Sequence, residues 1–213
     1  MNETLILVPT ELERRRLAQR DGCPFHDASL CGFGPVAAAA RTSMLLAESV
    51  YDRVLLVGIA GVFDGSVGDA TCFANVTIDG IGKGQAPAFV SANEMGFPHW
   101  PGGHGVGCDR IGDAITLDNP TANNANLLTV CAASANPDDA TTRRERYPDV
   151  TAEDMEGFGV AMACAMKGVP LTIVRGFSNT VGNADSKTWR IDEALDAARS
   201  LATQLISKWN DQP

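Results

Sequence analysis

Five short apolar runs rich in β-branched residues punctuate the chain, at Thr4 to Val8, Arg53 to Ile59, Ala70 to Ile78, Leu127 to Ala132 and Pro170 to Val174. Runs this short and this continuously apolar predict largely buried strands. Helical stretches lie between them, over Glu11 to Arg20, Pro35 to Val50, Asp138 to Tyr147 and Met155 to Lys167. Near the end, Ile191, Leu195, Ala198, Ala202, Leu205 and Trp209 recur at spacings of three and four, which makes an amphipathic closing helix. Alternating strands and helices imply an α/β sandwich.

One stretch breaks this rhythm. Residues Gly80 to Gly107 are rich in Gly and Pro and hold Phe89, Phe97, Pro98, His99 and Trp100. A long excursion in a compact domain is either a substrate cover or a surface segment whose aromatics pack a satellite core. The length of 213 residues suits one domain, spanning residues 1–213.

Charge narrows the partners. A net charge of −9 argues against a nucleic-acid or anionic-membrane surface, which must neutralise phosphates with Lys and Arg, and so favours a small-molecule partner. The basic cluster Arg14-Arg15-Arg16 reads as a solvated helix face. The six cysteines form no CxxC pair and no compact Cys/His cluster, so neither a metal nor another cofactor is expected. Reduced, buried thiols and a start without a signal-like segment point to the cytoplasm.

Four motifs carry chemistry. In Ile6-Leu7-Val8-Pro9-Thr10-Glu11-Leu12-Glu13 a buried strand runs into a helix with carboxylates in its first turn. Those carboxylates serve the helix dipole or face a ligand at the strand end. Cys31 to Ala40 is a glycine turn followed by a helix of small residues. Leu55 to Phe63, then Gly65-Ser66-Val67-Gly68-Asp69, is a strand ending in glycines that would let a ligand approach backbone N–H groups. Finally, Glu153-Asp154-Met155-Glu156-Gly157 opens a nearly all-apolar helix, and Pro170 to Asn179 follows as a strand ending in polar groups. A buried carboxylate needs a partner, so Glu156 is either a capping residue or a ligand contact.

In this order and spacing the four motifs resemble the nucleoside phosphorylase/hydrolase superfamily, from about Leu5 to Leu205. Within it, Gly58-Ile59-Ala60-Gly61, Asn93-Glu94-Met95-Gly96-Phe97 and Arg175-Gly176-Phe177-Ser178-Asn179-Thr180-Val181-Gly182 are most similar to the futalosine hydrolase family. The resemblance implies a three-layer α/β/α sandwich with a central mixed sheet. It also implies cleavage of a purine N-ribosidic bond by water, the step that serves menaquinone synthesis, in a homo-oligomer.

By the same resemblance, Glu13 is the general base, with Glu11 as its rival, and Asn179 meets the departing base. Ile59, Ala60, Gly61, Asp154, Met155, Glu156 and Ser178 would line the substrate site, with Glu156 accepting from the ribose hydroxyls. Phe97 and Trp100 would cover the 5′ substituent. Asn179 stands where adenine-cleaving relatives carry Asp, and an amide offers a donor and an acceptor to a 6-oxopurine, so hypoxanthine is the expected leaving base. Leu56 and Ile59 stand where related phosphorylases carry phosphate contacts, which favours water as the nucleophile. The alternatives are a purine nucleoside phosphorylase, an adenine-type nucleosidase, or a nucleoside-binding protein without turnover. His26, His99 and His104 match no catalytic position, and the latter two read as surface residues.

Overall fold

The computed structural model describes residues 3–19, 23–103 and 108–211, so Arg20, His104 and the end of the 80–107 excursion lie outside the described residues. The strands are β1 (Thr4–Val8), β2 (Ser29–Leu30), β3 (Arg53–Val62), β4 (Ala70–Cys72), β5 (Asn75–Ile78), β6 (Gly82–Lys83), β7 (Val90–Ser91), β8 (Ala114–Thr116), β9 (Asn126–Thr129), β10 (Ala152–Asp154) and β11 (Leu171–Thr180). The helices are α1 (Glu11–Leu17), α2 (Pro35–Glu48), α3 (Pro137–Arg146), α4 (Gly157–Lys167) and α5 (Ile191–Asn210).

Nine strands form one mixed sheet. Parallel pairs join β1 to β2 and β3, β3 to β11, and β9 to β5 and β10, while β3–β10, β4–β11 and β5–β8 run antiparallel. Helices cover both faces, as the resemblance implies. On one face α2 and α4 bury Leu45, Leu46, Phe158 and Val160 against Leu5, Leu7, Val54 and Leu56. On the other, α1 and α5 bury Leu17, Leu195, Ala198, Leu205 and Trp209 against Val8, Leu55, Val57 and Val174. Each buried aliphatic contributes about 1.5–3 kcal/mol, so the two layers together hold the sheet between them. Gly176 permits the second contact, because a Cβ there would stand 1.9 Å from the Ala194 carbonyl oxygen of α5.

The central strand β3 is interrupted on one edge. Its register partners are β11 along one side and, on the other, β1 at residues 53–56 and β10 at residues 61–62. Among the described residues, 57–60 therefore have no strand partner on that second edge. Orphaned backbone groups in a sheet interior must find side-chain partners or a ligand.

Several expected elements differ in number or bounds. The run Ala70 to Ile78 is two strands, because β4 pairs with β11 whereas β5 pairs with β9. The strand ending at Ile59 continues to Val62, and the one ending at Val174 continues to Thr180. The helix expected from Met155 begins at Gly157, because Glu153 and Asp154 belong to β10, paired with β3 and β9.

Candidate active site

A cavity of about 370 Å³ opens beside the interrupted stretch of β3. Glu13, Ile59, Ala60, Gly61, Asp154, Met155, Glu156, Ser178 and Asn179 all line it, so residues from three of the four motifs meet in one place. Strand ends and helix starts supply most of the wall, as expected where parallel strands terminate in an α/β sheet.

Glu13 is placed by a capping box. The Thr10 hydroxyl accepts from the Glu13 amide at 3.3 Å, and Glu13 Oε2 accepts from the Thr10 amide at 3.0 Å and its hydroxyl at 2.6 Å. Its other oxygen accepts from the Ile59 amide at 3.1 Å, which satisfies a group left free by the gap in β3. Glu13 is 4% exposed and lines the cavity; Oε2 spends both lone pairs on Thr10, whereas Oε1, with one on the Ile59 amide, keeps one. Two positions earlier, Glu11 turns outward and pairs with Arg14 and Arg15 at 2.7 Å each. Hydrogen bonds from Arg14 and then Arg15 lower its pKa to about 2, and it does not line the cavity.

The centre of the charged end is Arg175, fully buried on β11. Its Nε and Nη2 donate to Asp154 Oδ2 at 3.1 and 2.5 Å, and Nη2 reaches Glu156 Oε2 at 3.3 Å. Burial opposes the cation, but Asp154, Glu156 and Glu13 hold it charged and push its pKa upward. Nη1 has no hydrogen-bond partner among the described residues. Gly58 makes this arrangement possible, since a Cβ there would lie 2.2 Å from Arg175 Nη1 and 2.7 Å from Glu13 Oε1. The glycine expected to admit a ligand instead makes room for the protein's own charges.

Asp154 is committed to the scaffold, for it also accepts from the Thr129 hydroxyl at 2.6 Å and the Gly157 amide at 2.9 Å. Glu156 is less fully occupied. Sitting at the N-cap of α4, it makes no side-chain cap but accepts from the Gly34 amide at 3.1 Å. Burial pushes its pKa up to about 7 against the pull of Arg175, with Asp154 adding to the rise. Arg175 gives its closer bonds to Asp154, so desolvation dominates at Glu156.

At the opposite end, the β11 side of the cavity is neutral. Register between β3 and β11 shifts so that Phe177 pairs with Ala60 and Asn179 with Gly61, leaving Ser178 as an extra residue. Such a bulge re-aims side chains, and here Ser178 and Asn179 both reach the cavity wall. The Ser178 hydroxyl donates to Asn179 Oδ1 at 2.8 Å, and Asn179 Nδ2 donates to the Thr180 carbonyl at 3.0 Å. This network sets the amide's orientation and leaves one N–H and one oxygen lone pair unused.

Several expectations are corrected by placement. Phe97 and Trp100 do not line the cavity: Phe97 is 68% exposed, and Trp100 pairs with Ile111 and packs against the α2/α4 core. The excursion follows β5, near the far edge of the sheet, and Arg146 holds it to α3 through the Phe89 carbonyl at 2.8 Å. Phe33, Leu12 and Trp189 line the cavity instead. His99 is not a surface residue, since its ring packs edge-on to Phe158 at 5.3 Å and stands 3.3 Å from Asp113. Leu56 is fully buried in the core and does not reach the cavity. All six cysteines are free, though Cys131 is exposed. Ser134, Glu153 and Trp189 also line the cavity, and Arg175 supports it from behind; of these, only Arg175, a lone cation in an apolar run, carries a signal in the sequence.

Residues 28–208 match the family model described as "Phosphorylase superfamily". The chain is 35% identical to a futalosine hydrolase of Streptomyces coelicolor, over 85% of this chain and 80% of that protein. It is 30% identical to a futalosine hydrolase of Thermus thermophilus, over 83% and 79%. In structure it is similar to a 5′-methylthioadenosine/S-adenosylhomocysteine nucleosidase from Colwellia psychrerythraea in complex with adenine, with a TM-score of 0.68 at 20% identity, covering 97% of this chain and 95% of that one.

Proposed function

Because the chain belongs to the phosphorylase superfamily, we propose that it is an N-glycosyl hydrolase acting on futalosine, with hypoxanthine as the departing base. The observation that carries this reading is that Glu13 and Asn179 line the same cavity. Glu13 bonds beside Gly58, and Asn179 is the register partner of Gly61. Three residues of strand separate those levels by ~10 Å, room for a nucleoside to lie between them.

Cleaving an N-ribosidic bond builds positive charge on the sugar and negative charge on the base. Glu13 takes a proton from the attacking water. Glu156 accepts from the ribose hydroxyls and, ionised, stabilises the sugar cation, while Met155 packs on the sugar. The unused N–H of Asn179 donates to O6 of hypoxanthine, and its free lone pair accepts from N7–H as the base leaves.

Three carboxylates surround the buried cation, which opposes entry of a phosphate dianion and supports water as nucleophile. An adenine-type nucleosidase is the second reading, favoured by the likeness to nucleosidase structures and opposed by Asn179. The reading also includes a cytoplasmic enzyme of menaquinone synthesis. It further includes a homo-oligomer, supported by the exposure of Phe33 and Leu12 at the cavity and of Val36 beside them.

The test is to incubate the protein with futalosine, aminodeoxyfutalosine, inosine and methylthioadenosine, with and without phosphate, and follow free base by chromatography. Phosphate-independent release of hypoxanthine from futalosine is expected. Strict phosphate dependence would overturn hydrolysis, and preferential adenine release would overturn the assignment of Asn179.

A further inference from the structure

Building on the purine nucleoside reading, we propose that Arg143 and Glu153 are positioning residues that hold the peptide of residues 132–134 as the wall against which the substrate's base is bound. Glu153, Ala133 and Ser134 all line the cavity. Glu153 and Asn179 are both register partners of Gly61, from opposite edges of β3. They therefore flank the cavity at one level, two strand spacings or ~10 Å apart. A planar base read by Asn179 on one side meets the 132–134 peptide on the other.

That peptide is fixed by charge. Glu153 accepts from the Ser134 amide at 2.7 Å and from its hydroxyl at 2.8 Å. Arg143 donates to Glu153 at 2.7 Å and to the Ser134 hydroxyl oxygen at 2.6 Å, and its second Nη donates to the Ala132 carbonyl at 2.5 Å. Between these anchors, Ala133 is exposed, and its N–H and C=O have no hydrogen-bond partner among the described residues. A donor and an acceptor displayed on a rigid peptide suit a heterocycle that offers the complementary pair along one edge.

Arg143 is itself held. Its Nε lies 3.6 Å from Asp79, whose other oxygen accepts from the Tyr147 hydroxyl at 2.9 Å. Helix α3, which carries Arg143, has no buried residue, so it contributes little apolar packing. Its tie to the cavity is the ion pair with Glu153, whose side chain is 5% exposed. A buried pair is costly to assemble, and locating an otherwise exposed peptide beside a cavity is a reason to retain it.

The test measures affinity for free hypoxanthine and adenine by calorimetry, with kcat and KM for futalosine, in wild type, Arg143→Ala, Arg143→Lys and Glu153→Gln. For a wall that holds the base equally before and during reaction, Arg143→Ala should weaken hypoxanthine binding and raise KM by at least about tenfold, with kcat within about threefold. Arg143→Lys should recover most of the loss, and thermal midpoints should not track the affinities. Unchanged base affinity in Arg143→Ala, or a fall in kcat at unchanged KM, would overturn the proposal. If Arg143→Ala does not fold, Glu153→Gln decides on the same criteria. A wild type that binds hypoxanthine but cleaves no nucleoside would leave the wall standing and remove the hydrolase reading. One that binds neither base would remove both.

Discussion

The two ends of the cavity are built on opposite principles. At the level of Gly58, three carboxylates converge on one buried guanidinium. At the level of Gly61, the cavity meets a neutral amide whose orientation a neighbouring hydroxyl fixes. The charged end is costly to desolvate and can respond to charge that develops during a reaction. The amide end is cheap to bury and can tell one pattern of donors and acceptors from another. Rate and selectivity should therefore respond to different substitutions.

The largest expected effect lies at the charged end. Glu13→Gln keeps the shape of the capping box but removes the base, and kcat should fall by ~10²–10⁴ in steady-state assays. Retained turnover in that variant would dissolve the contrast between the ends. At the amide end, Asn179→Asp should leave a working site with altered choice, moving the hypoxanthine-to-adenine ratio of kcat/KM by about 10–100-fold. A uniform loss on both bases would show that the residue is not a discriminator.

Smaller effects sharpen the charged end. Gly58→Ala drives a Cβ against Arg175 and Glu13, and should cost ~1–3 kcal/mol in denaturant unfolding along with most turnover. Glu156 supplies a pH signature. Its folded pKa, near 7, lies above the usual carboxylate value, so its stabilising share is present at acid pH and is lost as pH rises through about 7. Relative to Glu156→Gln, the wild type should lose thermal stability between pH 5 and pH 8; a constant gap would show that Glu156 stays ionised throughout. At the bottom of the scale, Glu11→Gln should change kcat by less than about twofold, since its carboxylate is spent on exposed arginines.

The parts of the fold that could be read along the chain are those whose cause is local. Strands β1 and β3 and the first half of β11 are largely buried and so appear as nearly continuous apolar runs. Helix α5 shows its buried stripe at helical spacing. Strand β10 escaped because two of its three residues are acids, and what permits their burial, Arg143 for one and Arg175 for the other, lies 10 and 21 residues away. Glu13, Asn179 and Glu156 could be picked out through the resemblance, and each lines the cavity. Arg175 stands out as a lone cation in an apolar run, but its role is fixed only when its three carboxylates are brought round it. Phe97 and Trp100 had the right chemistry for a cover, but their position depends on which sheet edge carries the excursion, and that is decided by contacts such as Ile78 to Asp113 and Arg146 to Phe89.

The interruption in β3 has a practical consequence. The Ile59 amide donates to the carboxylate of Glu13 and not to a neighbouring strand, so its proton reports on that side chain directly. In a nitrogen-labelled sample its resonance should move as Glu13 gains or loses a proton, and should move again when a nucleoside arrives. The missing strand partner thus supplies a spectroscopic probe of the proposed base, read at a backbone amide.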